Sequence, residues 1–230
     1  MPNNKTFVIS LGGSVMYPQT LDETYIKKFR DFLIKNIKAG FKFAIVAGGG
    51  QLARSYQQTA LKISKISNDE RDWLGIETIK LNALLLKTIL GNRARLISSN
   101  NKNNSKIFNK YPIIITCFGQ PGHSSDLTAV QTAVDLKIST VINLGKPHFV
   151  YTANPDKDPS AKPLAQLSWQ DYFKIIPSKW TPGLNTPFDP VASRLAQKNK
   201  ITVIVADGRN LPNFQKIIAN QKFAGTTITN

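Results

Sequence analysis

Three times in this chain an apolar run breaks directly into a loop of small residues, and a helical pattern follows each loop. Thr6–Leu11 (TFVISL) runs into Gly12-Gly13-Ser14, and Phe41–Ala47 (FKFAIVA) runs into Gly48-Gly49-Gly50. Ile113–Phe118 (IIITCF) runs into Gly119-Gln120-Pro121-Gly122-His123-Ser124-Ser125-Asp126. Apolar runs without polar alternation are strands covered on both faces. Strands alternating with helices therefore commit the chain to an α/β fold, a three-layer αβα sandwich with a mainly parallel central sheet. In such a sheet the carboxyl ends of the strands form the ligand edge. Glycine leaves backbone N–H groups uncovered there, and the following helix adds the positive end of its dipole, which together make a phosphate cradle.

The remaining elements fit the same plan. Asp22–Ala39 has helical spacing and stops at Gly40, Gln51–Ala60 begins another helix, and Ile76–Leu90 is a third that ends at Gly91. Arg95–Ser98 reads as a short strand, and the Asn/Lys/Ser-rich stretch Ser98–Lys110 reads as a solvated loop. Leu127–Leu136 is a helix, Thr140–Leu144 a strand, Gly145–Leu167 irregular and Trp169–Ile176 a short helix. Trp180–Pro187 is a Pro/Gly loop, after which Asp189 caps a helix with Pro190 in its first position. A strand at Ile201–Ala206, a helix at Leu211–Ala219 and a tail strand at Thr226–Ile228 complete the chain. No repeat and no long linker divides it, so residues 1–230 are expected to form a single domain.

Composition narrows the partners. With 41% apolar and 9% aromatic residues the chain can build a core, which excludes wholesale disorder. Its 30 Lys+Arg against 14 Asp+Glu give a net charge of +16, a surface that attracts polyanions. That polyanion is nucleic acid, acidic lipid or a phosphorylated small molecule, but the basic residues form no single block, so compositional drift is the plainer reading. Cys117 is the single cysteine and cannot form an internal disulfide, which fits a reducing compartment. No apolar run is long enough for a signal-peptide core or a membrane span, so a soluble, cytoplasmic chain without membrane partners is expected. His123 and His148 have no paired metal-ligand spacing, so no zinc site is expected. Cys117 sits within an apolar strand pattern, making it a buried structural thiol rather than a nucleophile paired with His123.

Neither of two known phosphate fingerprints accounts for all three loops. There is no G-x-x-x-x-G-K-[ST]. Gly48-x-Gly50-x-x-Ala53, with Asp69 or Asp72 about 20 residues on, satisfies the loose dinucleotide pattern, but it gives the first and third loops no role. Ser124-Ser125-Asp126 opens a helix, where hydroxyls and a carboxylate either cap it or steer a phosphoryl group.

Taken in order, Leu11-Gly-Gly-Ser-Val15, Ala47-Gly-Gly-Gly-Gln-Leu-Ala-Arg54, Asp72-Trp-Leu-Gly75 with Asn82, Pro121-Gly-His-Ser-Ser-Asp126, Val150-Tyr151 through Pro159, Asp189-Pro190 and Gly225-Thr-Thr-Ile228 resemble the uridylate (UMP) kinases of the amino-acid-kinase superfamily, in their archaeal-type form. The resemblance implies transfer of the γ-phosphoryl of ATP to UMP with Mg²⁺. It implies that Gly12, Gly13, Ser14 and Gly50 meet the ATP phosphates, with Arg54 near the junction, and that Gly145, Tyr151 and Asn154 lie by adenine. Gly49 and Arg54 would hold the UMP phosphate and Asp72 the ribose hydroxyls, while Phe118, Gly119, Gly122, His123, Ser124 and Ser125 wrap the nucleotide. Asp126, Arg54 and Ser10 take the catalytic positions, Asp126 orienting the cations. An acceptor lobe over about 1–138, an ATP lobe over about 139–230 and a homohexamer are implied as well.

Plainer readings stand beside these roles. Arg54 is otherwise a solvated helix residue, Asp72 a helix cap, Tyr151 core packing and Asp189-Pro190 a cap. The chain also departs from the resemblance: Ser10 stands where many members carry Lys, His148 replaces an acidic residue within Lys146-Pro-His-Phe-Val-Tyr151, and Asn154 replaces Asp. Two alternatives share the motifs. One is another small-molecule kinase of the same superfamily; the other is a non-catalytic descendant binding nucleotides or RNA.

Overall fold

The computed structural model describes residues 5–98, 103–116, 119–179 and 186–230. The chain enters through β1 (Thr6–Leu11), a short turn of helix α1 (Gly13–Met16), α2 (Glu23–Lys38) and β2 (Lys42–Ala47). Next come α3 (Gly50–Ile63), α4 (Asn68–Leu90), β3 (Ala94–Ile97), α5 (Asn104–Lys110), β4 (Ile113–Thr116) and α6 (Ser125–Leu136). β5 (Thr140–Gly145) leads into a hairpin of β6 (Val150–Tyr151) and β7 (Pro163–Leu164), then β8 (Gln166–Ser168) and α7 (Trp169–Ile175). The chain ends with α8 (Pro190–Lys198), β9 (Thr202–Asp207), α9 (Leu211–Ile218) and β10 (Thr226–Thr229).

One sheet of eight strands runs through both halves of the chain in the order β3-β4-β2-β1-β5-β9-β10-β8. Its strands are parallel from β3 to β9, and β10 lies antiparallel to β9. Alternate side chains go to opposite faces. Ile9, Leu11, Phe43 and Ile45 pack with Phe29, Leu33, Leu86 and Phe214 of α2, α4 and α9. Val8, Ala44, Val46 and Ile114 pack with Val130, Tyr172 and Ala196 of α6, α7 and α8. Both faces are covered, which is why the strands read as unbroken apolar runs.

Three expectations need correction. The helix expected from Ile76 begins eight residues earlier, at Asn68. Ser67 starts it through a capping box: its hydroxyl accepts from the Glu70 N–H at 3.2 Å, and Glu70 accepts from the Ser67 N–H at 2.7 Å. Asp72 therefore lies inside α4 and caps nothing. The expected loop at Ser98–Lys110 contains α5. Phe108 is buried there beneath the Lys42 ammonium, which lies 4.7 Å from its ring centre and donates to the Phe108 carbonyl. Gly145–Leu167 is not irregular throughout, because Thr226 ties β6 and β7 to the sheet. Its hydroxyl accepts from the Val150 N–H at 2.8 Å and donates to the Leu164 carbonyl. Cys117, Phe118 and residues 180–185 of the expected Pro/Gly loop lie outside the described residues.

Adjacent strands β1 and β5 send the chain in opposite directions, β1 toward β2 and β5 toward β9. That divergence opens a crevice at their carboxyl ends.

Candidate active site

The first two glycine loops meet at that crevice. Gly12 donates its N–H to the Leu144 carbonyl at 2.8 Å, which fixes the end of β1 against β5, and Gly48 donates to the Leu11 carbonyl at 2.8 Å. A Cβ on Gly13 would lie 2.2 Å from the Gly50 nitrogen and 2.5 Å from the Gly48 oxygen. No side chain fits between the loops. Gly50, at φ +67°, turns the chain into α3 in a left-handed conformation that suits glycine. Buried Asn82 holds the second loop from α4, donating to the Gly48 carbonyl at 2.8 Å. Backbone N–H groups of two loops thus converge with no side chain between them, as an anion site requires.

Beside this junction lies a carboxylate network. Ser10 is buried on β1 and donates its hydroxyl to Asp126 Oδ1 at 2.9 Å, and the Asp189 N–H donates to Asp126 Oδ2 at 3.2 Å. Asp126 is half-buried as a residue, with its carboxylate at the enclosed end. Desolvation pushes its pKa up to about 6, helped by the charge of Asp189 and opposed by the two hydrogen bonds. Asp189 is buried and caps α8, its Oδ1 accepting from Val191 and Ala192 at 2.7 Å each. Burial raises its pKa too, against those N–H groups and a hydrogen bond with Ser124. The Ser124 hydroxyl also caps α6 by accepting from Leu127. Ser10, Ser124, Asp126 and Asp189 form one connected set.

The third loop is tied to α4. Asp72 Oδ2 accepts the Gly122 N–H at 2.7 Å, so the loop carrying Gly119, Gly122, His123, Ser124 and Ser125 rests on the helix that carries Asp72. Arg54 is exposed in α3, with Nε donating to Gln51 at 3.0 Å, and it makes no recorded bond to Asp72 or to the third loop. Past β5, Gly145 accepts from the Gly208 N–H at 2.9 Å. Half-buried Tyr151 packs edge-on to Phe149 at 6.3 Å. Asn154 accepts from the Asp156 N–H in a local turn, and His148 faces Asp207 at 3.7 Å. No recorded contact joins Tyr151 or Asn154 to the glycine junction.

The amino acid kinase family model matches residues 5–207. The chain belongs to the amino acid kinase family. Within the family it is 32% identical over 227 residues to the uridylate kinase of Methanocorpusculum labreanum, covering 97% of this chain and 95% of that protein. It is 29% identical to the uridylate kinase of Pyrobaculum neutrophilum, covering 96% and 98%. Among solved structures, the uridylate kinase of Archaeoglobus fulgidus superposes with a TM-score of 0.81 at 29% identity, covering 97% of this chain and 99% of that one. The UMP kinase of Bacillus anthracis, at 21% identity, shares the fold with a TM-score of 0.83 over 98% and 96% of the two chains.

For this family member the sequence motifs under-read two features. Asp189 was legible as a helix cap, but its N–H bond to Asp126 depends on the packing of α8 against α6. Tyr172, which reaches the same segment from α7, carries no sequence signal beyond helical spacing.

Proposed function

We propose that this amino acid kinase is a uridylate kinase that transfers the γ-phosphoryl of ATP to UMP, giving UDP and ADP. The observation that carries the reading is the junction of two side-chain-free glycine loops beside Asp126 at the divergence of β1 and β5. Phosphoryl transfer needs positioning and charge stabilisation rather than a nucleophilic side chain, and bare N–H groups beside a fixed carboxylate supply both. Full-length relatives named uridylate kinase support UMP as the acceptor.

In this reading Gly12, Gly13 and Ser14 receive the ATP phosphates, with Gly50 at the junction and Arg54 nearby. Gly49 and Arg54 hold the UMP phosphate, Arg54 through its two-pronged guanidinium. Asp72 keeps one carboxylate oxygen for the ribose, since the other already holds Gly122. The loop from Phe118 to Ser125 closes around the uridine. Gly145, Tyr151 and Asn154 border the adenine; apart from the glycine loops that meet the ATP phosphates, residues up to about 138 form the acceptor lobe and the rest the ATP lobe. Ser10 carries no charge and acts by fixing Asp126. Charge stabilisation then falls to backbone N–H groups, Arg54 and the metal.

The donor set fits a metal carried mainly by the nucleotide. Among the described residues no group of three or more His, Cys, Asp or Glu stands ready to hold an ion. Mg²⁺ commonly takes one or two carboxylates together with substrate phosphates, and Asp126 beside the junction is the carboxylate available. When bound, Mg²⁺ neutralises phosphate charge; Asp126 orients the metal-bound nucleotide.

A coupled assay of ADP formation with ATP, Mg²⁺ and each nucleoside monophosphate tests the reading. Activity confined to UMP is expected, and a folded sample inactive with every acceptor removes it. In the same assay Arg54→Ala is expected to raise the KM for UMP roughly 10- to 100-fold, the loss of a charged hydrogen-bonding group. The fold should survive, because Arg54 is exposed and, among the described residues, its side chain bonds to Gln51 of its own helix.

The cytoplasm is the proposed location, supported by a chain with a single cysteine; among the described residues no helix is long and apolar enough to cross a membrane. Self-association, as a hexamer, is the proposed quaternary state. Exposed Tyr56, Leu61 and Ile63 lie on α3, and exposed Trp73, Leu81 and Leu84 on α4. Residues 51–90 carry six basic and four acidic side chains, net +2 in a chain of +16, so charge opposes the pairing of two copies only weakly across this face. Light scattering at micromolar concentration should give a mass well above the 25.5 kDa monomer. A monomeric mass would remove the proposal.

A further inference from the structure

We infer that Tyr172 is a positioning residue of the transfer site, whose hydroxyl pins both polar groups of Phe188 and so sets the next N–H, that of Asp189, against Asp126. The inference rests on Asp126 belonging to the transfer site. Tyr172 lies in α7 and is fully buried, with its ring held edge-on by Trp169 at 6.1 Å. Its hydroxyl accepts from the Phe188 N–H at 2.7 Å and donates to the Phe188 carbonyl at 2.8 Å. A phenylalanine would fill the same apolar space. The hydroxyl's recorded partners are those two backbone groups, so what tyrosine adds is a fixed Phe188 peptide.

The neighbours of Phe188 are held as firmly. Asn143 on β5 donates to the Pro187 carbonyl at 2.8 Å, and Ser193 donates to the Asp189 carbonyl at 2.7 Å. Three consecutive residues are thereby locked from β5, α7 and α8. The next free polar group along this segment, the Asp189 N–H, reaches Asp126 Oδ2 at 3.2 Å, while Ser10 takes Oδ1. With one oxygen steered from β1 and the other from a backbone that Tyr172 fixes, the carboxylate plane has one orientation. Losing the hydroxyl loosens one side of that clamp and leaves the nucleotide pockets untouched.

Steady-state kinetics of full-length Tyr172→Phe with ATP, Mg²⁺ and UMP test this. The kcat should fall about tenfold, the cost of losing the two hydroxyl bonds that fix the Phe188 peptide, while the KM for each nucleotide stays within about twofold. Asn213→Ala is the matched control. Asn213 is buried in α9 and likewise pairs both polar groups of one residue, Ala224, at 2.6 and 2.8 Å, without a path to Asp126. It should lower the melting temperature as Tyr172→Phe does and leave kcat alone. Asp126→Asn separates the two levels of the argument. If Asp126→Asn abolishes turnover while Tyr172→Phe keeps wild-type kcat, or loses no more than Asn213→Ala, Tyr172 is only structural and the inference is overturned. If Asp126→Asn itself turns over normally, the site reading falls and takes this inference with it. Should Tyr172→Phe melt below the assay temperature, Asn143→Ala, which frees the adjacent Pro187 carbonyl, must show the same kcat loss; wild-type kcat there also overturns it.

Discussion

Asp126→Asn is expected to lower turnover at least about a hundredfold while leaving the melting temperature at pH 7 unchanged or higher. The turnover loss follows from removing a fixed charge beside the phosphate junction, an effect of about two to three orders of magnitude where such groups act on developing charge. The stability effect has the opposite sign because the carboxylate is held where desolvation disfavours its charge. Its folded pKa is about 6 against an ordinary 3.8. A raised pKa means that the stability the group contributes is fully present below about 3.8 and is lost as pH rises through about 6. The difference amounts to at most about 3 kcal/mol at pH 7, reduced because part of the residue meets solvent. Asparagine is the same size and keeps both contacts: its amide oxygen can accept from the Asp189 N–H, and its amide can donate to the Ser10 oxygen, which accepts as well as donates. Melting curves of both proteins from pH 4 to pH 8 should show the variant gaining on the parent as pH rises. A variant that turns over normally would remove Asp126 from the transfer site. One that melts many degrees lower at pH 7 would make the carboxylate structural.

That opposition between activity and stability explains which parts of the molecule could be read in advance. Strands covered on both faces announce themselves as apolar runs, so β1, β2, β4, β5 and β9 and the loops at their ends were legible. The helix at Asn104–Lys110 was not, because most of its residues are polar and exposed, with Asn104 and Phe108 buried and Ile107 partly so. Its anchors are Ser98, whose carbonyl takes the Asn104 amide six residues away, and Lys42, which reaches the Phe108 carbonyl across 66 positions and is tertiary. The start of α4 was legible in principle: Ser67-x-x-Glu70 is a capping box, but it precedes a first turn rich in charge rather than an apolar run. At the candidate site, the glycine loops were readable from the strands that run into them, and the resemblance pointed to Asp126. The bond from Asp189 to Asp126 spans 63 positions, and the one from Ser10 spans 116. No local pattern encodes such pairings, and Ser10 read alone looked like the loss of a cation. In the fold it is the hydroxyl that fixes the carboxylate.

Gly13→Ala tests the junction most severely, and its expected effect is a fold that melts at least about 8–16 °C lower. An alanine Cβ would sit 2.2 Å from the Gly50 nitrogen, 2.5 Å from the Gly48 oxygen and 2.6 Å from the Gly48 carbon. These are backbone atoms, so no rotamer change can clear them. The clash is reciprocal, since a Cβ on Gly50 would meet the Gly13 carbon and oxygen at 2.5 Å. Separating the loops would pull Gly48 from Leu11 and Asn82 from Gly48, bonds that tie β1, β2 and α4 together. Disruptions of that class reach about 4 kcal/mol or more, which for a chain of this length gives the stated fall in melting temperature. Gly12→Ala is the graded comparison. Its Cβ would stand 3.1 Å from the Leu144 oxygen, a tight contact that a small shift relieves, so a loss of about 1 kcal/mol and a few degrees is expected. Circular dichroism melts of the pair separate the cases: a Gly13→Ala protein melting within about 3 °C of the parent would mean that the loops do not touch in solution. The same closeness that forbids a methyl group leaves no side chain over the remaining loop N–H groups, those of Gly12 and Gly48 being spent on Leu144 and Leu11. Any Gly13→Ala protein that does fold should lose ATP binding before it loses binding of UMP, because Gly13 belongs to the loop proposed for the ATP phosphates and Gly49 and Arg54 are proposed for the UMP phosphate.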